Sequence, residues 1–244
     1  MGSLKVGSSA VADVRYGSTM VSSIRRGSTI MWQRTGGGSG SLIFDDFDRA
    51  DADTLGSNWT YEDGAFHDHE IGVENGQARV KIPEGLIGGF FTLSTSRCRY
   101  NVATASSDDG FVETQPSSLG SSASGAAPTG YRTQIFGRAS TDCSNGVGIE
   151  MRAGNCWIIR RVSEVGTRMA SGGAFQPGDV LRLTYATDLY TLTKNGRTIA
   201  TWNDSGQTAH RGASYRSLML RGDGAKDLLG PRRFSPALNY ALMG

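Results

Sequence analysis

An all-β, two-sheet sandwich is the fold class this sequence predicts, and three observations predict it. Alternation of apolar and polar residues recurs along most of the chain, Asn-Gly and Gly-Asp pairs punctuate it, and no window of about a dozen residues carries an apolar period near 3.6. Short antiparallel strands with one face turned to water explain that alternation, and two such sheets packed together bury the apolar faces. Glycine supplies 34 of the 244 residues and proline only 6. Dispersed glycine without a three-residue period implies many tight turns and excludes a collagen helix.

The first element in chain order is a repeat. Gly7-Ser8-Ser9-Ala10-Val11, Gly17-Ser18-Thr19-Met20-Val21 and Gly27-Ser28-Thr29-Ile30-Met31 follow one another every ten residues. The apolar positions keep the same phase, Val11 with Val14, Val21 with Ile24, and Met31 before Trp32. A unit this short buries no core of its own. It reads as a low-complexity leader or as very short strands separated by Gly-Ser turns. The shared phase of the β-branched residues favours strands that become ordered against a neighbour, as a part of an assembly. Residues 33–41 offer no apolar side chain to bury and read as a linker. The chain thus divides into a decad β-repeat module at 1–32, a Gly/Ser linker at 33–41 and a sandwich at 42–244, long enough for one complete core.

Within the sandwich, Asn75-Gly76 turns into Ala78, Val80 and Ile82 at period two, and Gly89-Phe90-Phe91-Thr92-Leu93 is a short apolar strand. Residues 131–136 and 148–152 alternate, and Cys156-Trp157-Ile158-Ile159 heads the strongest apolar run. The clearest stretch is residues 180–185 and 189–194, then Asn195-Gly196, a strong hairpin signal, with 197–202 returning and 217–221 adding another strand. Residues 105–130 read as a long Ser/Ala/Gly-rich loop, and 231–244 as an irregular tail without an evident closing strand.

Charge and cysteine content narrow the function classes. Twenty-five basic against 23 acidic side chains leave a formal charge of +2, with arginines scattered rather than laid in a stripe. This gives no field suited to nucleic acid. No run of 18 apolar residues is present to insert in a membrane, and Met1-Gly2-Ser3-Leu4-Lys5 lacks the apolar region of a secretory leader. Cys98, Cys143 and Cys156 are an odd, sparse set, suited to folding in a reducing compartment. Cys143 and Cys156 flank a turn at Asn145-Gly146 and could come close across a hairpin, but a bridge is not the expectation for so sparse a set.

Phe44-Asp45-Asp46-Phe47-Asp48-Arg49-Ala50-Asp51 followed by Leu55-Gly56-Ser57-Asn58-Trp59 resembles the opening of the concanavalin A-like sandwich domains in minor tail proteins of actinobacterial, mycobacteriophage-like phages. Pro177-Gly178-Asp179 with Leu181-Arg182-Leu183, and residues 192–202 around Asn195-Gly196, are similar to the late hairpin of that family. Tyr16-Gly17-Ser18-Thr19 and Arg26-Gly27-Ser28-Thr29 resemble the short repeat these proteins place before a glycine-rich joint. The resemblance implies a concanavalin A-like jelly-roll sandwich preceded by a short β-repeat module, in a virion minor tail protein assembled in the host cytoplasm. It also implies a homotrimer, contacts to other tail or virion proteins through residues 1–32, and a displayed sandwich that binds host-envelope glycan. A purely structural decoration protein is the alternative.

Sandwiches of this kind also serve hydrolases, whose chemistry depends on paired carboxylates. A retaining glycosidase needs two carboxylates about 5 Å apart. Residues two apart on a strand share a face, yet Glu150 stands alone between Ile149 and Met151, and Glu164 stands alone in a turn. The Glu-x-Asp-x-x-Glu pattern of the sandwich hydrolases is absent, and Glu70 with Glu74 reads as a polar edge. No catalytic residue and no enzymatic activity are therefore expected. Asp45, Asp46, Asp48, Asp51 and Asp53 could offer oxygens to calcium, but the glycine and terminal glutamate of an EF-hand loop are missing. The simpler expectation is that Asp48 and Asp51 order a turn, with Arg49 paired to one of them. His67-Asp68-His69 lacks a third ligand and reads as solvent-facing, so no metal is expected. The glycines at 36–40 precede neither a helix nor Lys-Ser/Thr, so no phosphate-binding loop or cofactor is expected. Tyr61, Phe66, Tyr131, Trp157, Tyr185, Tyr190 and Trp202 are the candidate sugar-contacting aromatics, most of them expected in the core together with Trp59.

Overall fold

The computed structural model describes residues 5–6, 9–10, 14–16, 19–21, 23–26, 29–33, 42–62, 70–82, 93–226 and 231–244. They form two units, Met1–Ser39 and Gly40–Gly244. In the first unit, β1 (Lys5–Val6) pairs with β2 (Ser9–Ala10), β3 (Val14–Tyr16) with β4 (Thr19–Val21), and β5 (Ser23–Arg26) with β6 (Thr29–Gln33). The two residues between the paired strands are Gly-Ser in each case. Each Gly-Ser pair thus stands in sequence between two strands that pair antiparallel.

The second unit is a pair of antiparallel eight-stranded sheets. The strands are β7 (Ile43–Asp45), β8 (Trp59–Tyr61), β9 (Ile71–Glu74), β10 (Gln77–Val80), β11 (Ser94–Tyr100), β12 (Gly110–Pro116), β13 (Arg132–Ala139) and β14 (Gly146–Arg152). They continue with β15 (Asn155–Val162), β16 (Val165–Ala174), β17 (Leu181–Ala186), β18 (Leu189–Lys194), β19 (Arg197–Asn203), β20 (Ser217–Lys226), β21 (Arg232–Phe234) and β22 (Leu238–Met243). One sheet runs β19-β18-β17-β12-β22-β10-β9, with β7 also on β22; the other runs β16-β15-β14-β13-β20-β11-β8, with β21 on β20. A single 3-10 turn, Ala213–Tyr215, is the only helical element among the described residues.

Alternation builds the core. Leu181, Leu183 and Tyr185 of β17, Tyr190 and Leu192 of β18, and Leu238, Ala241 and Met243 of β22 point inward. They meet Ile135, Ile149, Met151, Cys156, Ile158, Leu218 and Leu220 from the facing sheet. Asn195 (φ 51°) and Gly196 (φ 80°) take the left-handed pair of angles that a two-residue hairpin needs, between β18 and β19 as their sequence predicts.

Two stretches differ from expectation. Residues 105–130 are no single loop, because Gly110–Pro116 within them is a seven-residue strand lying between β17 and β22. Residues 231–244 are no irregular tail either. β22 sits inside its sheet between β12 and β10, and Gly244 exchanges backbone hydrogen bonds with Phe111. The turn between Cys143 and Cys156 is also placed differently. Cys98, Cys143 and Cys156 are free and fully buried. The hairpin turns at Ala153-Gly154, which places Cys156 beside Met151 at one end and Cys143 beside Arg161 at the other. The proposed strand at 89–93 lies outside the described residues except for Leu93.

Candidate functional site

On the second sheet, Ile135, Ile149, Ile158, Leu220 and Cys98 face the core, so their strand neighbours face away from it. Register aligns those neighbours in one row across six strands. Arg97 lies opposite Arg221, Arg221 opposite Gln134, Gln134 opposite Glu150, Glu150 opposite Trp157, and Trp157 opposite Ser171. On one side of the row Phe136, Ile159 and Met219 pack with Ala139 and Cys143; on the other, Ala225 packs with Ala127 and Tyr131. A charged band therefore crosses a face whose flanks are apolar.

The face is curled over on itself. Glu164 Oε1 accepts a 2.7 Å hydrogen bond from Arg97 Nη1, although Glu164 sits in the β15–β16 turn and Arg97 on β11. Three strands lie between β15 and β11, which in a flat sheet means about 19 Å. The reach of the Arg97 and Glu164 side chains and coiling of the sheet together close that span, and register breaks in the β15–β16 pairing and between Phe136 and Ala139 of β13 supply local bends. The turn itself has Ser163 at φ 46° and Glu164 at φ 70°, left-handed angles without glycine. Glu164 N donates to Ser144 O at 2.8 Å and Ser163 N to Asn145 Oδ1 at 3.0 Å, which hold it there.

Two polar groupings result. In the first, Glu150 accepts from Gln134 Nε2 on Oε2 and from Arg168 Nε at 2.8 Å on Oε1, and the Arg168 guanidinium lies 3.6 Å from the centroid of the Trp157 ring. In the second, Arg97, Arg161 and Arg221 gather near Glu164. Arg161 donates from Nε to Cys143 O at 2.9 Å, the only hydrogen bond of its guanidinium among the described residues. Arg221 reaches Gln134 Oε1 at 3.3 Å and approaches Asp223 Oδ1 at 3.7 Å, while its buried Nε meets no acceptor among the described residues. Asp223 is otherwise engaged by Arg132 Nε at 2.8 Å and Thr95 Oγ1 at 2.9 Å. Burial, then the neighbouring Arg97, pushes the Arg161 guanidinium down to about 10. Arg221 also falls to about 10, by burial and by Arg132, Arg161 and Arg97 against the opposing pull of Asp223. The hydrogen bond from Arg97, with the field of the three arginines, holds the Glu164 carboxyl below its ordinary range.

The other sequence candidates are placed as follows. Glu74 pairs with Arg79 at 3.0 Å on the opposite sheet, and Glu70 precedes β9, far from any paired-carboxylate arrangement with Glu150 in the topology. The positions flanking Glu150 on its own face are Gly148 and Arg152. A Cβ at 148 would lie 2.0 Å from Ile135 O, so this backbone admits no side chain there. Asp45, not Asp48 or Asp51, pairs with Arg49: its Oδ1 takes Arg49 Nη1 at 2.7 Å and the Phe47 N–H, and its Oδ2 takes Trp59 Nε1 at 2.7 Å. The correction has a physical reason, since Asp45 is the buried member of the cluster and needs partners, whereas Asp48 and Asp51 are exposed. Among the described residues no group of three or more His, Cys, Asp or Glu is placed to hold a metal. His67-Asp68-His69 and Phe66 lie outside the described residues. Tyr61 is a strut, its hydroxyl donating to Ile71 O and accepting from Leu55 N. Tyr131, Tyr185 and Tyr190 are buried, and Trp202 stacks on Tyr190 with centroids 4.7 Å apart. Of the aromatic candidates only Trp157 lies in the charged row. The arginines escaped the sequence reading because single arginines gain meaning only from register; Arg97 and Arg99 at period two were the available signal.

Comparison with known proteins defines the class first. The SCLam endo-β-1,3(4)-glucanase of family GH16 is similar in fold, at 11% identity over 85% of this chain and 95% of its own, with a TM-score of 0.54. A lichenase derived from a mouse hindgut metagenome is similar at 12% identity over 83% and 98%, with a TM-score of 0.53. The Bacillus licheniformis β-glucanase is similar at 12% identity over 84% and 99%, with a TM-score of 0.51. The architecture is thus a concanavalin A-like jelly-roll sandwich. A family model described as a domain of unknown function, DUF7257, matches residues 14–233, and the chain belongs to that family. None of the curated proteins matches the sequence.

Proposed function

We propose that this chain is a non-enzymatic minor tail protein of a phage virion, whose sandwich binds a host-envelope glycan through the charged row on its second sheet. The observation that carries the reading is the row itself: guanidinium, amide, carboxylate and indole groups aligned across the strands, with Trp157 carrying Arg168. Sugars are bound by such mixtures of hydrogen-bonding planes and aromatic surface. The structural neighbours named as glucanases act on polysaccharide, and a likeness of fold at this identity leaves activity a separate question. Support for a binding rather than a cleaving role comes from Glu150. Both its oxygens are committed to Gln134 and Arg168, and Gly148 and Arg152 occupy the face positions where a second carboxylate of a retaining pair would stand. The virion assignment rests on the resemblance of residues 16–32 and 44–59 and on the split into two units.

A second reading, a structural decoration protein of the virion, is favoured by one observation. Gln134 and Glu150 are 1% and 3% exposed, which leaves little of the middle of the row open. Binding of the full chain to a glycan array and to host cell walls separates the two. Retention that is reduced at least tenfold by Trp157→Ala sustains glycan binding. No retention on any wall polymer leaves decoration, and release of reducing ends from those polymers would restore a hydrolase.

A further inference from the structure

Three arginines face one another across the coiled sheet, and one carboxylate on a turn sits among them. Arg97 and Arg161 are 8% and 4% exposed, and Arg221 Nε is buried without an acceptor among the described residues. Buried like charges at this density are costly unless an anion joins them. Glu164 is that anion, yet its side chain is 59% exposed and it touches the cluster through one hydrogen bond, to Arg97. Arg161 makes no hydrogen bond to it, and Arg221 leans on the more distant Asp223. A guanidinium trio offers more donors than one glutamate at the end of a turn satisfies. The site is built for an oxyanion and only partly filled by the chain.

We propose that the Arg97–Arg161–Arg221 cluster is a binding site for an oxyanion carried by an external ligand, the carboxylate of an acidic sugar in a glycan, and that Glu164 occupies it in the ligand's absence. The inference deepens the glycan reading of the same face and rests on it for the molecule that bears the anion. A carboxylate is the favoured occupant because the group already there is a carboxylate. Exposure of the Glu164 side chain lets it swing to solvent without unfolding its strands. The tether makes Glu164 a competitor present at high effective concentration, so the unmodified protein binds an outside anion more weakly than the cluster alone would.

The test compares the full-length chain with its Glu164→Gln variant by calorimetry, using trigalacturonate, neutral galactotriose and inorganic phosphate. The NMR resonances of the arginine Nε–H groups are followed in parallel. The expected result is at least tenfold tighter binding of trigalacturonate by the variant, no binding of the neutral trimer at this site, and shifts confined to Arg97, Arg161 and Arg221. Equal affinities in the two proteins, or binding that leaves those resonances unmoved, overturns the proposal. If phosphate moves the three resonances in the variant while neither sugar binds, the oxyanion site stands and the glycan reading of the face falls. Should the variant not fold, Glu164→Asp, which draws the carboxylate back by one methylene, must show the same gain in weaker form; its failure to do so also overturns the proposal.

Discussion

Asp45 shows how one buried carboxylate organises a segment. It fastens Arg49, the Phe47 backbone and the Trp59 indole, while Arg49 Nη2 reaches on to Leu55 O at 2.9 Å. Asp45 is therefore one main anchor of the loop between β7 and β8, beside the Ala52–Val73 backbone bridge and the Leu55 N–H bond to the Tyr61 hydroxyl. Replacing Asp45 by asparagine removes the ion pair and leaves a partly buried guanidinium with neutral acceptors only, the amide oxygen and Leu55 O. Arg49 is 37% exposed, which moderates the loss. Asp45→Asn is expected to cost roughly 2 to 3 kcal/mol, measured as a lowered urea midpoint at unchanged slope. A midpoint equal to wild type would show that the loop is held by its other anchors and its apolar contacts, Phe47 and Leu55 in the core.

At the scale of elements, β22 has the largest consequence for so short a segment. Its neighbours are β12 on one side and β10 with β7 on the other, so removing it splits the first sheet through its middle. Truncation after Ala237 is expected to abolish cooperative unfolding and to disperse the amide spectrum of the sandwich no longer, because unpaired backbone groups would line the gap. A truncated chain that still melts cooperatively would contradict the central placement. This strand and β12 are the central ones that pattern reading missed; β7, β8, β11, β16 and β21 were not announced by it either. Leu238-Asn239-Tyr240-Ala241-Leu242-Met243 buries Leu238, Ala241 and Met243, a phase broken by one residue, and Pro236 precedes it. β12 does alternate, with Val112, Thr114 and Pro116 buried, but it is enclosed by Ser/Gly-rich sequence, and a proline closes it. The hairpins at Asn75-Gly76 and Asn195-Gly196 were legible because local turn chemistry decides them. Strands recruited from far along the chain were not, since their partners are set by non-local pairing. The same limit hid the arginine cluster: Glu150, Glu164 and Trp157 stood out singly in the sequence, whereas their juxtaposition with Arg97 and Arg221 depends on the register and coiling of six strands.

For the molecule as a whole, the contrast between its two units decides how it should behave in solution. The sandwich closes two eight-stranded sheets on a shared core. The amino-terminal unit consists of three separate two-stranded sheets, with no pairing between one hairpin and the next among the described strands. Isolated two-stranded hairpins are marginal in water, and their outer edges offer unpaired N–H and C=O groups to another chain. Three such hairpins in succession, phased every ten residues, give equivalent edges that copies of the chain can pair. The proposed arrangement is a homotrimer joined through this unit. Light scattering on the intact chain is expected to return three times the monomer mass, and deletion of residues 1–35 to return the monomer. The deleted chain should keep the β-type circular dichroism and the melting midpoint of the sandwich, because the sandwich core among the described residues is drawn from Ile43 to Met243. A monomeric intact chain would remove both the trimer and the assembly role of the repeat, while a trimer that survives the deletion would transfer the interface to the sandwich.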